Sequence, residues 1–434
     1  MITRRTLAGA VGASALLPAV VQARAPAARK APPGFLWGTA ISAHQSEGNN
    51  VNSDVWLLEN LKPTTYKDRS GDACDSYHRF GEDVSLNAAL GFNCYRFGIE
   101  WARIEPSEGQ FSNAELDHYE AVLKACRAHG QTPIVTLNHF SAPLWFSVRG
   151  GWERDDAPEL FARYCRRVVE RLGPLIGKVT TFNEANIQRL VKVLGLDKPS
   201  ETHRQMMAAA RKATGSERFT TLVTSNPAIS EPILLEAHRR AYAAIKAVAP
   251  SLPVGLSLTT QQIEAVGENS IAPKIEAEFY GPWIEAGRGH ADFIGVQTYM
   301  RLRYDAKGWV GWPKDAEMTA AGYEFRPQAL AETIRWAHRT FAGKPIYVTE
   351  SGIATDDDSR RIAFIDQALQ GVRQCLDEGI AVHSYLYWSL LDNFEWSSGY
   401  DKHFGLVAVD LKTFKRTPKP SAVWLGKRAK ADLI

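Results

Sequence analysis

The segment "KPIYVTESGIA", residues 344–354, places an ionisable acid where an apolar run stops. Pro345 to Val348 read as a buried strand, and Thr349, Glu350, Ser351 and Gly352 follow at once. A glutamate there can cap a turn or sit in solvent; it can also do chemistry. The same choice recurs along the chain. Gln45 and Glu47 follow one apolar run, Arg96 and Glu100-Trp101 mark a second, Asn138-His139 a third and Asn183-Glu184 a fourth. Gln297 and Tyr299 end a further run, and "YWSLLDNFEW", residues 387–396, brings Trp388, Glu395 and Trp396. Each residue alone has a structural use, as a helix start, an ion-pair partner or packing. Together, carboxyls, planar hydrogen-bonders and aromatic faces suit cleavage of a glycosidic bond. That reaction needs one protonated carboxyl, one ionised carboxyl and a surface for a sugar ring. His139 has no second histidine at ligand spacing, so no metal is expected. No G-x-S-x-G elbow supports a serine hydrolase.

Residues so far apart in sequence meet only if the chain repeatedly returns them to one rim. Strand-like runs fall at 36–40, 93–99, 133–138, 179–183, 254–258, 293–297, 346–349 and 381–389. Segments with helical periodicity lie between them, including 115–130, 160–177, 235–250 and 360–379. Eight strands alternating with helices predict a single-domain (β/α)8 TIM barrel over 35–434, whose active site forms at the carboxyl ends of the strands. An open doubly wound sheet is the competitor, but no glycine-rich phosphate loop follows the first strand.

The first 25 residues stand apart. Arg4-Arg5, an apolar stretch and Ala23-Arg24-Ala25 resemble a twin-arginine export signal with a small-residue cleavage site. Residues 26–34 read as a Pro/Ala-rich linker. The expectation is export to the periplasm or beyond, in the folded state, with no stable membrane association after the signal is removed. The whole chain has 51 basic and 48 acidic residues; without the leader each sign counts 48. A neutral mature chain makes nucleic acid a poor partner. Five cysteines without metal-ligand spacing predict no essential disulfide.

"PPGFLWGTAISAHQSEG", "YRFGIEWARIEP", "TLNHFSAPLWF", "TFNEAN", "DFIGVQTY", "YVTESG" and "YWSLLDNFEWSSGYDKHFGLVAVD" follow one another along residues 33 to 424. In kind and order they resemble the motifs of glycoside hydrolase family 1, the β-glucosidase family. The resemblance implies a retaining exo-β-glycosidase without metal or organic cofactor, acting on a small β-glucoside or oligosaccharide. It implies Glu184 as general acid/base and Glu350 as nucleophile, about 5–5.5 Å apart as retaining enzymes require. It makes Arg96 and Tyr299 the supports that keep Glu350 ionised, while the Glu350 charge raises the pKa of Glu184. Gln45, His139, Asn183, Trp388, Glu395 and Trp396 match the pocket for the nonreducing sugar. A carboxylate at Glu395 would repel a 6-phosphate, which argues against phospho-glycosides.

The chain departs from the family pattern at Phe140, Ser141, Ala185, Gln297, Thr298 and His403. Segment 187–232 also lacks the Gly/Pro-rich stretch that the resemblance leads one to expect. These departures are expected at the mouth and outer subsites, away from the cleavage point. Transglycosylation through the same intermediate is the alternative activity. A catalytically dead sugar-binding barrel would typically lack one carboxyl, and a thioglycosidase would carry glutamine at the acid/base position. Oligomeric state is not legible.

Overall fold

The computed structural model of the chain describes residues 29–195 and 198–434. The expected leader, residues 1–25, lies outside the described residues. Of the expected linker, Arg29 to Ala31 lie against the carboxyl terminus. The Arg29 and Ala31 amides donate to the carbonyls of Ile434 and Asp432, and the Ile434 amide donates back to Arg29.

Eight parallel strands close into a barrel: β1 (Leu36–Ala40), β2 (Cys94–Gly98), β3 (Thr132–Asn138), β4 (Lys178–Phe182), β5 (Val254–Thr259), β6 (Phe293–Gln297), β7 (Ile346–Ser351) and β8 (Val382–Trp388). They pair in chain order, and β1 closes the ring on β8 with Ala40 level with Trp388 on one side and Arg96 on the other. Nearly every strand residue is buried on both faces, as expected when helices cover the outside and side chains fill the inside. All eight predicted runs are strands, two with the bounds expected and the rest shifted by one or two residues.

The barrel floor is plugged by Leu36, Cys94, Ile134, Phe293, Tyr347 and Leu386, contributed by six different strands. Gly255 makes room for one of these plugs, since a Cβ there would stand 2.2 Å from the Phe293 ring. The larger core lies between strands and helices, where Asn113–Ala128, Ala157–Leu172, Pro227–Val248 and Asp358–Asp377 correspond to the four helical segments read from periodicity, each starting and ending earlier than expected. The helix read as starting at 235 begins at Pro227, capped by the Asn226 side chain on the Ala228 amide. Pro227 occupies the first turn, where its missing N–H leaves no bond unmade.

Two additions sit at the carboxyl rim. Gln262–Ala265 and Arg301–Tyr304 form a two-stranded parallel ribbon. The helices Ile187–Val193 and Glu201–Thr214 follow β4. All five cysteines are buried free thiols. No helix among the described residues is long and apolar enough to cross a membrane.

Candidate active site

The carboxyl ends of the strands surround a cavity of about 540 Å³. Asn183 and Glu184 reach it from the end of β4, Tyr299 from just past β6, Glu350 from β7 and Trp388 from β8. His139 follows β3, and Glu395 and Trp396 lie on the loop beyond β8. Eight of the ten expected site residues therefore line one space. Arg96 and Gln45 are fully buried behind them.

Glu350 is held by two donors. Arg96 Nη1 lies 2.5 Å from one carboxylate oxygen and the Tyr299 hydroxyl 2.7 Å from the other. Burial pushes the Glu350 carboxyl upward, and Arg96 and Tyr299 pull it back toward the ionised form. Glu184 has weaker opposition. Burial first, and then the Glu350 charge, push it up to about 8. The sequence reading named only the charge; removal from water is the larger cause. Glu184 thus keeps its proton at neutral pH while Glu350, with a guanidinium and a phenol on it, is the better anion. Burial and the adjacent carboxylates push the Tyr299 phenol well above its usual range, so it remains a donor.

Glu395 is the third acid in the cavity, pushed up to about 8 by burial and then by Glu350. Gln45 donates to it at 3.2 Å, with the Gln45 oxygen fixed by the Ser42 hydroxyl at 2.7 Å. Gln45, expected on the substrate, thus stands behind a residue that lines the cavity. His139 is stacked on Trp388 and Trp396, with ring centroids 5.5 and 6.1 Å apart. Burial holds its imidazole well below the usual range, hence neutral.

Asn183 is oriented by two donors on one oxygen. Arg96 Nη2 lies 2.6 Å and Gln297 Nε2 2.7 Å from its Oδ1. The Asn183 amide nitrogen is therefore the group left for a ligand. The other end of Gln297 accepts the backbone N–H of Glu184 at 3.2 Å. Gln297 belongs to the cleavage point, which corrects the expectation that the departures lie at the mouth. Its signal was present, since it ends a strand two residues before Tyr299.

The remaining departures divide. Phe140 lines the cavity against Trp396. Ser141 donates to the buried Glu100 at 2.7 Å, and the Thr298 hydroxyl is 2.7 Å from both Thr260 and Thr333 in the barrel wall. Ala185 donates its amide to the Ser257 carbonyl at 3.0 Å, a bond that a proline could not make. His403 pairs with Asp356 on the surface.

The backbone around the acids is constrained. Glu184 has φ +42°, and Phe140 and Trp396 are also left-handed non-glycine residues, so three such residues meet at this cavity. Strain of this kind persists where neighbours over-determine it. Here the amides on either side of Glu184 bond the Asn138 and Ser257 carbonyls. Gly352, just past β7, is required by close approach, because a Cβ would stand 2.0 Å from the Trp388 carbonyl oxygen.

A protonated carboxyl and an ionised one facing a shared cavity can protonate a leaving oxygen and attack an acetal carbon. No group of three or more histidine, cysteine, aspartate or glutamate side chains among the described residues could hold a metal ion. A (β/α)8 barrel with this acid pair defines a glycoside hydrolase. The family model described as Glycosyl hydrolase family 1 matches residues 27–283 and 257–432, so the chain belongs to that family, which retains anomeric configuration. Thermostable beta-glucosidase B of Thermobispora bispora is 30% identical, covering 94% of this chain and 93% of its own. The apo structure of a beta-glucosidase designated 1317 superposes with a TM-score of 0.88 at 45% identity, covering 92% of this chain and 98% of that one. The beta-glycosidase BGL167 gives 0.87 at 47% identity, covering 92% and 97%.

Proposed function

We propose that this glycoside hydrolase is an exo-acting β-glucosidase that releases terminal β-linked glucose through a covalent glycosyl-enzyme intermediate. One observation carries the reading: Glu350, held by Arg96 and Tyr299, shares a cavity with the protonated Glu184. Glu350 attacks the anomeric carbon while Glu184 gives its proton to the departing oxygen. The resulting ester at Glu350 is neutral, which removes the largest charge influence among those that raise Glu184. Glu184 then takes a proton from the incoming water, which reaches the anomeric carbon from the side the aglycone left, and configuration is retained.

The sugar is gripped from its edges. The Asn183 amide is directed to the 2-hydroxyl, where a hydrogen bond strengthens toward the transition state. Glu395, raised as far as Glu184, meets hydroxyls at the far side of the ring as both donor and acceptor, and Trp388 and Trp396 supply apolar faces. The beta-glucosidase names of the relatives support glucose as the sugar.

The deciding experiment replaces Glu350 by glycine. Hydrolysis of p-nitrophenyl β-glucoside should fall by at least about 10⁴-fold. Azide should restore turnover and yield the α-glucosyl azide. Near-normal turnover without azide would remove Glu350 as nucleophile. The Arg4-Arg5 leader supports a second proposal, export from the cytoplasm. Fractionating cells that express the full chain tests it, with Lys at both positions abolishing export.

A further inference from the structure

The cavity extends beyond the sugar-binding residues, and its outer wall has a different chemistry. Ile187, Leu190 and Val191 line it from the helix Ile187–Val193, Leu58 from Asp54–Asn60 and Met206 from Glu201–Thr214. The first three stand at i, i+3 and i+4, so they share a helix face. They are only half-buried, so part of that face is turned to the cavity. Val223, also in the wall, is 47% exposed.

Several polar groups of the wall are already paired within the protein, although the buried Tyr323 hydroxyl, also in the lining, has no partner there. The Thr221 and Thr224 hydroxyls are 3.0 Å apart, and Thr224 also accepts the Thr221 amide. Gln261 donates to the Thr259 hydroxyl and accepts the Met300 amide. The Thr65 hydroxyl donates to the Met206 sulfur at 3.4 Å. His203 is pushed below its usual range by burial and is neutral, which leaves Lys402 as the single lining cation among the described residues. A second sugar ring set against these engaged groups would lose hydration of its hydroxyls with little return, which is costly. An apolar group would shed water from its own surface and from the wall. Met206 adds a side chain that adapts to irregular shapes.

We infer that the outer cavity takes a bulky apolar aglycone, aliphatic or fused-ring, in preference to a second sugar. This deepens the β-glucosidase reading and rests on it, since the aglycone is the leaving group of that reaction.

Binding of glycosides with a sulfur-linked aglycone separates the two claims, because affinity can be read by calorimetry without turnover. Octyl 1-thio-β-glucoside, kept below its micelle-forming concentration, should bind the full chain at least ten-fold more tightly than methyl 1-thio-β-glucoside. It should also bind more tightly than thiocellobiose by a similar factor. Val223→Asp, at an exposed position, and Leu190→Gln should each reduce the octyl-to-methyl ratio to three-fold or less. An octyl-to-methyl ratio near one, tighter binding of thiocellobiose, or ratios unmoved by both substitutions would overturn the inference. Hydrolysis of p-nitrophenyl β-glucoside in parallel tests the underlying activity. Its absence would refute the β-glucosidase reading and with it the naming of the apolar group as leaving group. Hydrolysis without octyl preference would refute the apolar aglycone site alone.

Discussion

The side-chain oxygen of Asn183 lies 2.6 Å from Arg96 Nη2, while Nη1 of the same guanidinium holds Glu350. One planar group therefore fixes a carboxylate and the amide beside the other acid. Arg96→Lys keeps the charge but cannot make both bonds. It should lower kcat/KM on p-nitrophenyl β-glucoside by about 10²–10³-fold, comparable to losing a preorganised donor. Weakening the Arg96 contact also lets the Glu350 pKa rise, so the acid limb of the pH profile should move to higher pH. An unmoved limb in a folded variant would separate Arg96 from Glu350 ionisation.

Gln297→Ala removes a donor from Asn183 and the acceptor for the Glu184 amide. Turnover of β-glucosides should fall about 10–100-fold, less than for a direct transition-state donor. A 2-deoxy-β-glucoside should lose less, because it has no 2-hydroxyl for Asn183 to grip. Equal losses on both substrates would show that Gln297 does not act through Asn183.

Glu184 titrates near 8 in its raised state, and donation to the aglycone oxygen needs the protonated form. As pH rises through about 8 the acid ionises, so kcat/KM should decline there on substrates with poor leaving groups. Glu184→Ala should slow those substrates by about 10²–10⁴-fold and activated aryl glucosides much less. It should also erase the alkaline limb. Equal slowing of both classes would rule out the acid role.

Six buried carboxyls share a direction, each chiefly by burial: Glu47 and Asp54 are pushed up to about 7, Glu184 and Glu395 to about 8, and Asp83 and Glu350 are raised as well. Each binds its proton more tightly folded than unfolded. The stability this contributes is complete below the ordinary carboxylate range and is lost as pH rises through 7 to 8. The melting temperature should be at least about 5 °C lower at pH 8.5 than at pH 5.5. Glu47→Gln should flatten the decline, and a melting temperature that rises over this interval would contradict it.

The barrel was legible because each strand is a short apolar run with a polar end, a pattern that parallel strands buried on both faces leave in sequence. Glu184, Glu350 and Tyr299 were legible for the same reason: polar types at or just past strand ends have few structural excuses in combination. Which group lines the cavity and which stands behind was not, since Gln45 and His139 both simply follow apolar runs. The left-handed backbone of Glu184 left no mark, because glycine or asparagine would signal such a conformation and glutamate does not. The apolar outer wall was hidden as well. A helix face of Ile187, Leu190 and Val191 reads as core whether protein or ligand covers it.

The contacts from Glu350 through Arg96, Asn183 and Gln297 to the Glu184 amide form an unbroken relay between the two acids. Its members come from four different strands or strand ends, so the reaction centre is braced across half the ring instead of hung from separate loops. A change at any member is felt at the others. Paired substitutions along the relay should depart from the sum of their single effects, and redesign of this centre would proceed by exchanging the relay as a unit.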